Sequence, residues 1–208
     1  MAVRKFWILI LSVLLAALSL AGCNKKSTER KKNIALVMKA SSNPFFAKMG
    51  EGAQKAADSL AVPLSIATIP QETDIGGQIA IVENMIVQGV DAILIAPADS
   101  KAIVNVLKKA QDQGILIINL DNRIDAETAG NAGLKISSYV GVDNEEGGRM
   151  AGAYLLSLMS GKGQVAMLEG IRGVDNAEAR KRGFLKAVQG TAVQVVASQS
   201  ANWAQDQG

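Results

Sequence analysis

Residues 33–60 read NIALVMKASSNPFFAKMGEGAQKAADSL. Within them IALVM is a continuous apolar run, rich enough in branched residues for a strand buried on both faces. Lys39 to Asn43 is a short polar loop. Asn43 is a strong N-cap and Pro44 suits the first helical position. Phe46, Met49, Ala53, Ala56 and Leu60 then recur at steps of three and four, which predicts the core face of a helix. The stretch therefore reads as strand, polar loop, helix. In open α/β sheets such loops carry ligands at the carboxyl ends of strands. Phe45 falls off the core face, beside Lys39 and Asn43, and an aromatic ring there begins a site for a polar ligand.

The same rhythm continues outward. Residues 64–69 predict a second strand, and Asp74 caps a helix carrying Ile75, Ile79, Val82 and Ile86. Residues 90–96 are a third strand, and Asp99 caps a helix with Ile103, Val106, Leu107 and Ala110. Residues 115–119 are a fourth strand. Strands alternating with helices predict right-handed βαβ units and a parallel sheet. Residues 121–135 are polar, lack apolar periodicity and read as a long loop, so a first lobe is assigned to 33–136. A second lobe, 137–208, opens with a strand at 138–142. Asp143 and Glu146 form a capping box for a helix through Met150, Ala153, Tyr154 and Leu158. A strand at 164–169, a helix at 177–189, a strand at 193–197 and a helix opening at Asn202-Trp203 complete it. Three strands and two full helices are too few to bury both faces of a parallel sheet. The fold class is α/β, two Rossmann-like doubly wound lobes, the second incomplete, and the chain reads as a fragment.

Residues 1–22 are expected to be a signal peptide. Arg4 and Lys5 precede a nearly unbroken apolar run from Phe6 to Leu20, and small residues lead to Cys23. The run is short for a spanning helix, which needs roughly 20 residues. Leu20-Ala21-Gly22-Cys23 resembles the bacterial lipobox, which makes Cys23 the lipidation site and residues 23–32 a polar tether to the membrane. The formal charge of +3 is carried by these segments; from Asn33 onward 15 basic residues face 18 acidic ones. No basic surface for nucleic acid follows.

The sequence has no histidine and a single cysteine, which removes the commonest general base and any cysteine metal cluster. Neither a G-x-S-x-G elbow nor a Walker A loop is present. Gly161-Lys162-Gly163 precedes a strand and reads as a turn; Glu145 and Glu146 serve a helix start. Polar residues gather instead after the strands: Lys39 and Asn43, Asp121 and Arg123, Asn176 and Arg180, Asn202 and Trp203. Asp99 and Asp143 are caps first. Asp121 and Arg123 have no capping role in the sequence. Asn176 can cap its helix and still present its side chain. Arg180 reads equally as a ligand or as a surface arginine beside Lys181 and Arg182, and Trp203 equally as core or ligand. Charged and amide groups that make planar, charge-assisted bonds match vicinal sugar hydroxyls, and aromatic faces match pyranose C–H faces. Such a site binds and does not react; no metal or cofactor is called for.

IALVMKASSNPFF at 34–46, INLDNRID at 118–125, VGVDNEEGGRMAG at 140–152, EGIRGVDNAEARKRGF at 169–184 and ASQSANW at 197–203 together resemble the type I substrate-binding proteins of bacterial sugar ABC importers, nearest the ribose- and allose-binding branch. The resemblance implies strand order 2-1-3-4-5 in each lobe and a monosaccharide held between lobes that close over it. It makes Lys39, Asn43, Phe45, Phe46, Asp121, Arg123, Asn176, Arg180 and Trp203 the sugar-binding set. Lys39 agrees with allose-type members, where ribose-type ones carry a small hydroxyl residue. The implied protein is a monomeric, exported lipoprotein delivering sugar to a permease. The alternative is a sensor presenting sugar or an autoinducer to a chemoreceptor or histidine kinase. A gene regulator of this fold would need a DNA-binding domain where the lipobox stands, and a secreted enzyme lacks catalytic groups.

Overall fold

The computed structural model describes residues 32–208. The expected signal peptide, Cys23 and nearly all of the tether lie outside the described residues. Five strands, β1 (Ile34–Met38), β2 (Leu64–Thr68), β3 (Ala92–Ile95), β4 (Leu116–Leu120) and β5 (Ser138–Val140), form one parallel sheet in the order β2-β1-β3-β4-β5. The helices between them are α1 (Pro44–Leu60), α2 (Ile75–Gln88), α3 (Val104–Asp112) and α4 (Ala126–Ala132). Side chains alternate along β1 as the pleat requires. Ala35 and Val37 enter the large core under α2, α3 and α4, while Leu36 and Met38 enter a smaller one with Phe46 of α1.

Three expectations in this lobe are corrected. Residues 121–135 hold helix α4, which Asp125 caps through the Thr128 amide and Gly133 ends in the left-handed conformation. Its sequence AETAGNA buries only Ala129, so no apolar stripe betrays it. The strand at 138–140 is the last of the first sheet, paired with β4, so the crossover to the second lobe follows Val140 rather than Ile136. On α1 the inner face uses Gly50 and Ala57, while Ala56 and Leu60 are exposed.

Beyond the crossover come α5 (Asn144–Leu158), β6 (Lys162–Glu169), α6 (Asp175–Val188), β7 (Ala192–Ser200) and a short 3-10 turn, Gln205–Gln207. β6 and β7 pair in parallel with a bulge between Val165 and Ala166. Asp143 caps α5 through the Glu146 amide, but the Glu146 carboxylate pairs with Arg149, so only half of the capping box forms. The expected core face of α5 also differs: Met150, Tyr154 and Leu158 are exposed. The contact with α6 runs instead through glycines. A Cβ on Gly148 would fall 2.0 Å from the Arg180 carbonyl oxygen, and one on Gly183 would fall 1.8 Å from that of Glu145. Two backbones this close leave no room for side chains. Asn202 and Trp203 do not open a helix; both take left-handed backbone (φ 50° and 58°) in a turn.

Candidate functional site

The strand register decides which loops meet. Val37, Ile95 and Asn119 are aligned across β1, β3 and β4. Two residues further along, Lys39, Pro97 and Asp121 stand on one edge of the sheet, at the carboxyl ends where ligands collect. α6 brings Asn176 and Arg180 to the same edge, and the turn after β7 adds Trp203. These residues, with Asn43, Phe45, Phe46 and Glu72, line a cavity of about 200 Å³. That is the share of roughly six or seven liquid waters at about 30 Å³ each. A wider cavity of about 530 Å³ adjoins it across Asn43, Glu72 and Trp203.

Each side chain is held from behind. Asn43 caps α1 by accepting from the Phe45 amide and donates to Glu72 Oε1 at 2.6 Å. Phe46 is buried and meets half-exposed Phe45 edge to face, centroids 5.1 Å apart. Lys39 has 0% side-chain exposure; its ammonium lies 3.6 Å from Glu72 Oε2 and 5.9 Å from the Phe46 ring centroid. At 3.6 Å the contact is one of charge, and no hydrogen-bond acceptor reaches Lys39 Nζ. Arg180 donates from Nε to Asn144 Oδ1 at 2.8 Å, and its guanidinium carbon lies 5.5 Å from the Trp203 ring centroid. Gly170 makes room for that ring: a Cβ there would meet Trp203 at 2.2 Å.

Asp121 sits at φ 59°, a left-handed conformation that short aspartate tolerates better than most side chains. Its amide donates to the Val140 carbonyl and its carbonyl accepts from the Tyr139 hydroxyl. Asn176 spans the two lobes, its amide nitrogen 3.4 Å from Asp121 Oδ2 and 3.3 Å from Asn122 Oδ1, while its own Oδ1 lacks a donor. Val174, the N-cap of α6, offers no side-chain bond; the Asp175 amide donates to Ser100 Oγ of the first lobe at 3.1 Å. Asn176 is thus no cap, and the helix takes an oxygen from across the cleft.

Burial pushes the Asp121 carboxyl above its ordinary range, against the pull of Lys39 and Arg180. Burial pushes Lys39 down, against the attraction of Glu72 and Asp121, and Arg180 lowers it further. Two cations and two carboxylates face one small space, so its formal charge balances to zero.

Eight of the nine residues expected from sequence are brought together here. Arg123 is not. Asn122 turns inward, donating to the Pro97 carbonyl, and the Asn119 amide binds the Asn122 carbonyl. The chain then carries Arg123 outward, where its guanidinium stacks 3.7 Å from the Tyr139 ring centroid and lines a different cavity. Glu72 was missed: it stands in a turn before the Asp74 cap, and only the pairing of β2 beside β1 brings that turn to Lys39. Among the described residues no cluster of three or more histidine, cysteine, aspartate or glutamate residues could hold a metal, and no helix is long and apolar enough to cross a membrane.

An open parallel sheet with polar groups converging on its carboxyl edge, faced by a second α/β unit, defines a binding protein of two lobes. Residues 34–208 match the model of the periplasmic binding protein domain, and the chain belongs to that family. It is 40% identical over 205 residues to a D-ribose/D-allose-binding protein of Pseudomonas aeruginosa, covering 94% of this chain and 64% of that protein. It is 33% identical over 193 residues to the ribose import binding protein of Escherichia coli, covering 93% and 62%. A crystallised ABC transporter periplasmic solute-binding protein of Actinobacillus succinogenes with bound D-allose superposes with a TM-score of 0.77 at 45% identity, over 85% of this chain and 61% of that one. The chain therefore spans just under two thirds of the length of the curated relatives it matches.

Proposed function

We propose that this chain captures a neutral monosaccharide of the allose or ribose type between its lobes and delivers it to the membrane permease of a bacterial ABC transporter. One observation carries the reading. The cavity gathers Lys39, Asn43, Asp121, Asn176 and Arg180 between aromatic walls, and two of its buried polar atoms, Lys39 Nζ and Asn176 Oδ1, lack hydrogen-bond partners. A hydroxyl supplies both what an ammonium needs, an acceptor, and what an amide oxygen needs, a donor. Asp121 and Arg180 offer charge-assisted bonds to further hydroxyls. Phe45, Phe46 and Trp203 cover the C–H faces. Balanced charge suits a neutral polyol better than a sugar acid or an amine.

Closure follows from where the groups reside. Lys39, Asn43 and Asp121 belong to the first lobe, Asn176, Arg180 and Trp203 to the second. A ligand touching both sets prefers the closed arrangement and shifts the equilibrium toward it; the permease reads that arrangement. We further infer export and anchoring through a lipid on Cys23, with a monomer as the working form. Cys23→Ser should move the protein from membranes to the soluble fraction, and retention in the pellet would refute the anchor.

The test of the binding reading is a thermal-shift screen of pentoses, hexoses and polyols on the full-length protein, followed by calorimetry. Stabilisation by a neutral sugar is expected. Asp121→Ala should weaken that sugar by about 2–4 kcal/mol, because buried partners lose their acceptor. A full-length protein that none of these compounds stabilises would refute the proposal.

A further inference from the structure

Glu72 has no counterpart among the residues that sequence singled out, yet it touches two of them. Its side chain is 9% exposed, and both of its oxygens are engaged. Oε1 accepts from Asn43 Nδ2 at 2.6 Å, and Oε2 lies 3.6 Å from Lys39 Nζ. The charged groups that face the Lys39 ammonium are Glu72, Asp121 and Arg180. Asp121 is shared: Asn176 binds it and Arg180 also attracts it. Arg180 repels Lys39. Glu72 is thus the foremost influence that favours the charged lysine in a place without water contact.

The separation matters as much as the charge. At 3.6 Å the carboxylate compensates the ammonium from beyond hydrogen-bond distance, which leaves Lys39 Nζ without an acceptor of its own. We infer that Glu72 is a positioning residue for ligand capture: it holds the Lys39 ammonium by charge at the cavity wall and fixes the Asn43 amide beside it. The inference rests on the sugar-binding reading above and adds a specificity to it. The guest's oxygen at Lys39 is expected to be a neutral acceptor, because Glu72 and Asp121 already balance the charges of Lys39 and Arg180.

Glu72→Gln isolates the charge, since glutamine still offers Asn43 an oxygen. The experiment uses the full-length protein, with D-allose as probe and D-ribose where D-allose does not bind. Between about pH 6 and about pH 9 the Kd of Glu72→Gln should rise severalfold more than that of the wild type, because the lysine loses its proton at lower pH. The sign follows from Lys39: loss of the carboxylate lowers its pKa, and the neutral amine that appears as pH rises donates less well. In the ligand-free protein the Lys39 Cε resonance should titrate at lower pH in Glu72→Gln than in the wild type. Glu72→Asp should restore most of the wild-type profile. On a Lys39→Met background Glu72→Gln should leave the pH profile unchanged. Identical profiles and identical Lys39 midpoints in wild type and Glu72→Gln would overturn the inference and leave sugar binding standing. A wild type that binds neither sugar nor any compound of the screen would overturn the sugar reading itself, and the Lys39 resonance would still decide whether Glu72 governs the lysine.

Discussion

The two lobes are held together by different physics. In the first, branched residues of five strands lie between helices, and Leu36, Ile93, Ile95, Leu107 and Ile117 are fully buried. In the second, two strands carry exposed Leu168 and Val196, and α5 and α6 meet backbone to backbone at Gly148, Gly152 and Gly183. A charged cluster also ties β6 to α6 and β7 in the second lobe. That cluster centres on Glu169 at the end of β6, bonded to Arg172, Lys181 and Ser198. The contrast is between the contacts present in a chain that spans just under two thirds of its relatives' length: the same strand-helix rhythm is packed with side chains in one place and with glycines in another.

The sharpest way to break the contrast is at the glycines. Gly183→Val places a side chain where even a Cβ lies 1.8 Å from a carbonyl oxygen, which no rotamer relieves. Amide exchange should lose protection throughout 144–200 and keep it in β1, β3 and β4; uniform protection would show that the glycine contact is not the support. Next is the same truncation in each lobe. Leu107→Ala, at 0% exposure, should cost about 2–5 kcal/mol in denaturant unfolding. Leu158→Ala, at 66% exposure, should stay within about 0.5 kcal/mol in this chain.

Acid offers a further separation. Arg172, Ser198 and Lys181 hold Glu169 down at about 2, from an ordinary 4.5. Its contribution is present above the unfolded value and is lost as pH falls from about 4.5 toward 2. Asp121, raised by burial, has the opposite sign. Signals from the second lobe should therefore melt at higher pH than those of the first, and Glu169→Gln should remove that acid step; coincident melting would contradict it. The smallest effect is at the seam. Ser100→Ala deprives α6 of its oxygen from the other lobe and should cost about 1 kcal/mol of closed-state stability, measured as a more open distance distribution between labels on the two lobes.

Most of this lobe contrast lay beyond the reach of sequence patterns. Met150, Tyr154 and Leu158 have the spacing of a core stripe and are exposed in this chain, while Gly148 and Gly152, on another face of α5, meet α6. The first sheet was legible because its central strands β1 and β3 are apolar throughout and the loops carry local signals, such as Asn43-Pro44. Sheet membership of 138–140 was not, because pairing order leaves no mark within three residues. The site was legible where a residue directly follows a strand, as at Lys39 and Asp121. It was illegible where position depends on a neighbouring strand, as at Glu72, or on the turn of a single residue, as at Arg123. In that last case the inward turn of buried Asn122 reversed the expected direction.

The left-handed backbone at Asp121 narrows the paths by which this scaffold can change its guest. Asparagine and glycine fit that conformation about as readily as aspartate, whereas threonine, valine or isoleucine would be strained there. Neutralising the central carboxylate is therefore a small evolutionary step, and replacing it by a branched side chain is a large one. Diversification of such a pocket should accumulate on the walls supplied by Lys39 and Glu72, while Asp121 and Trp203, both on left-handed backbone, stay narrower in choice.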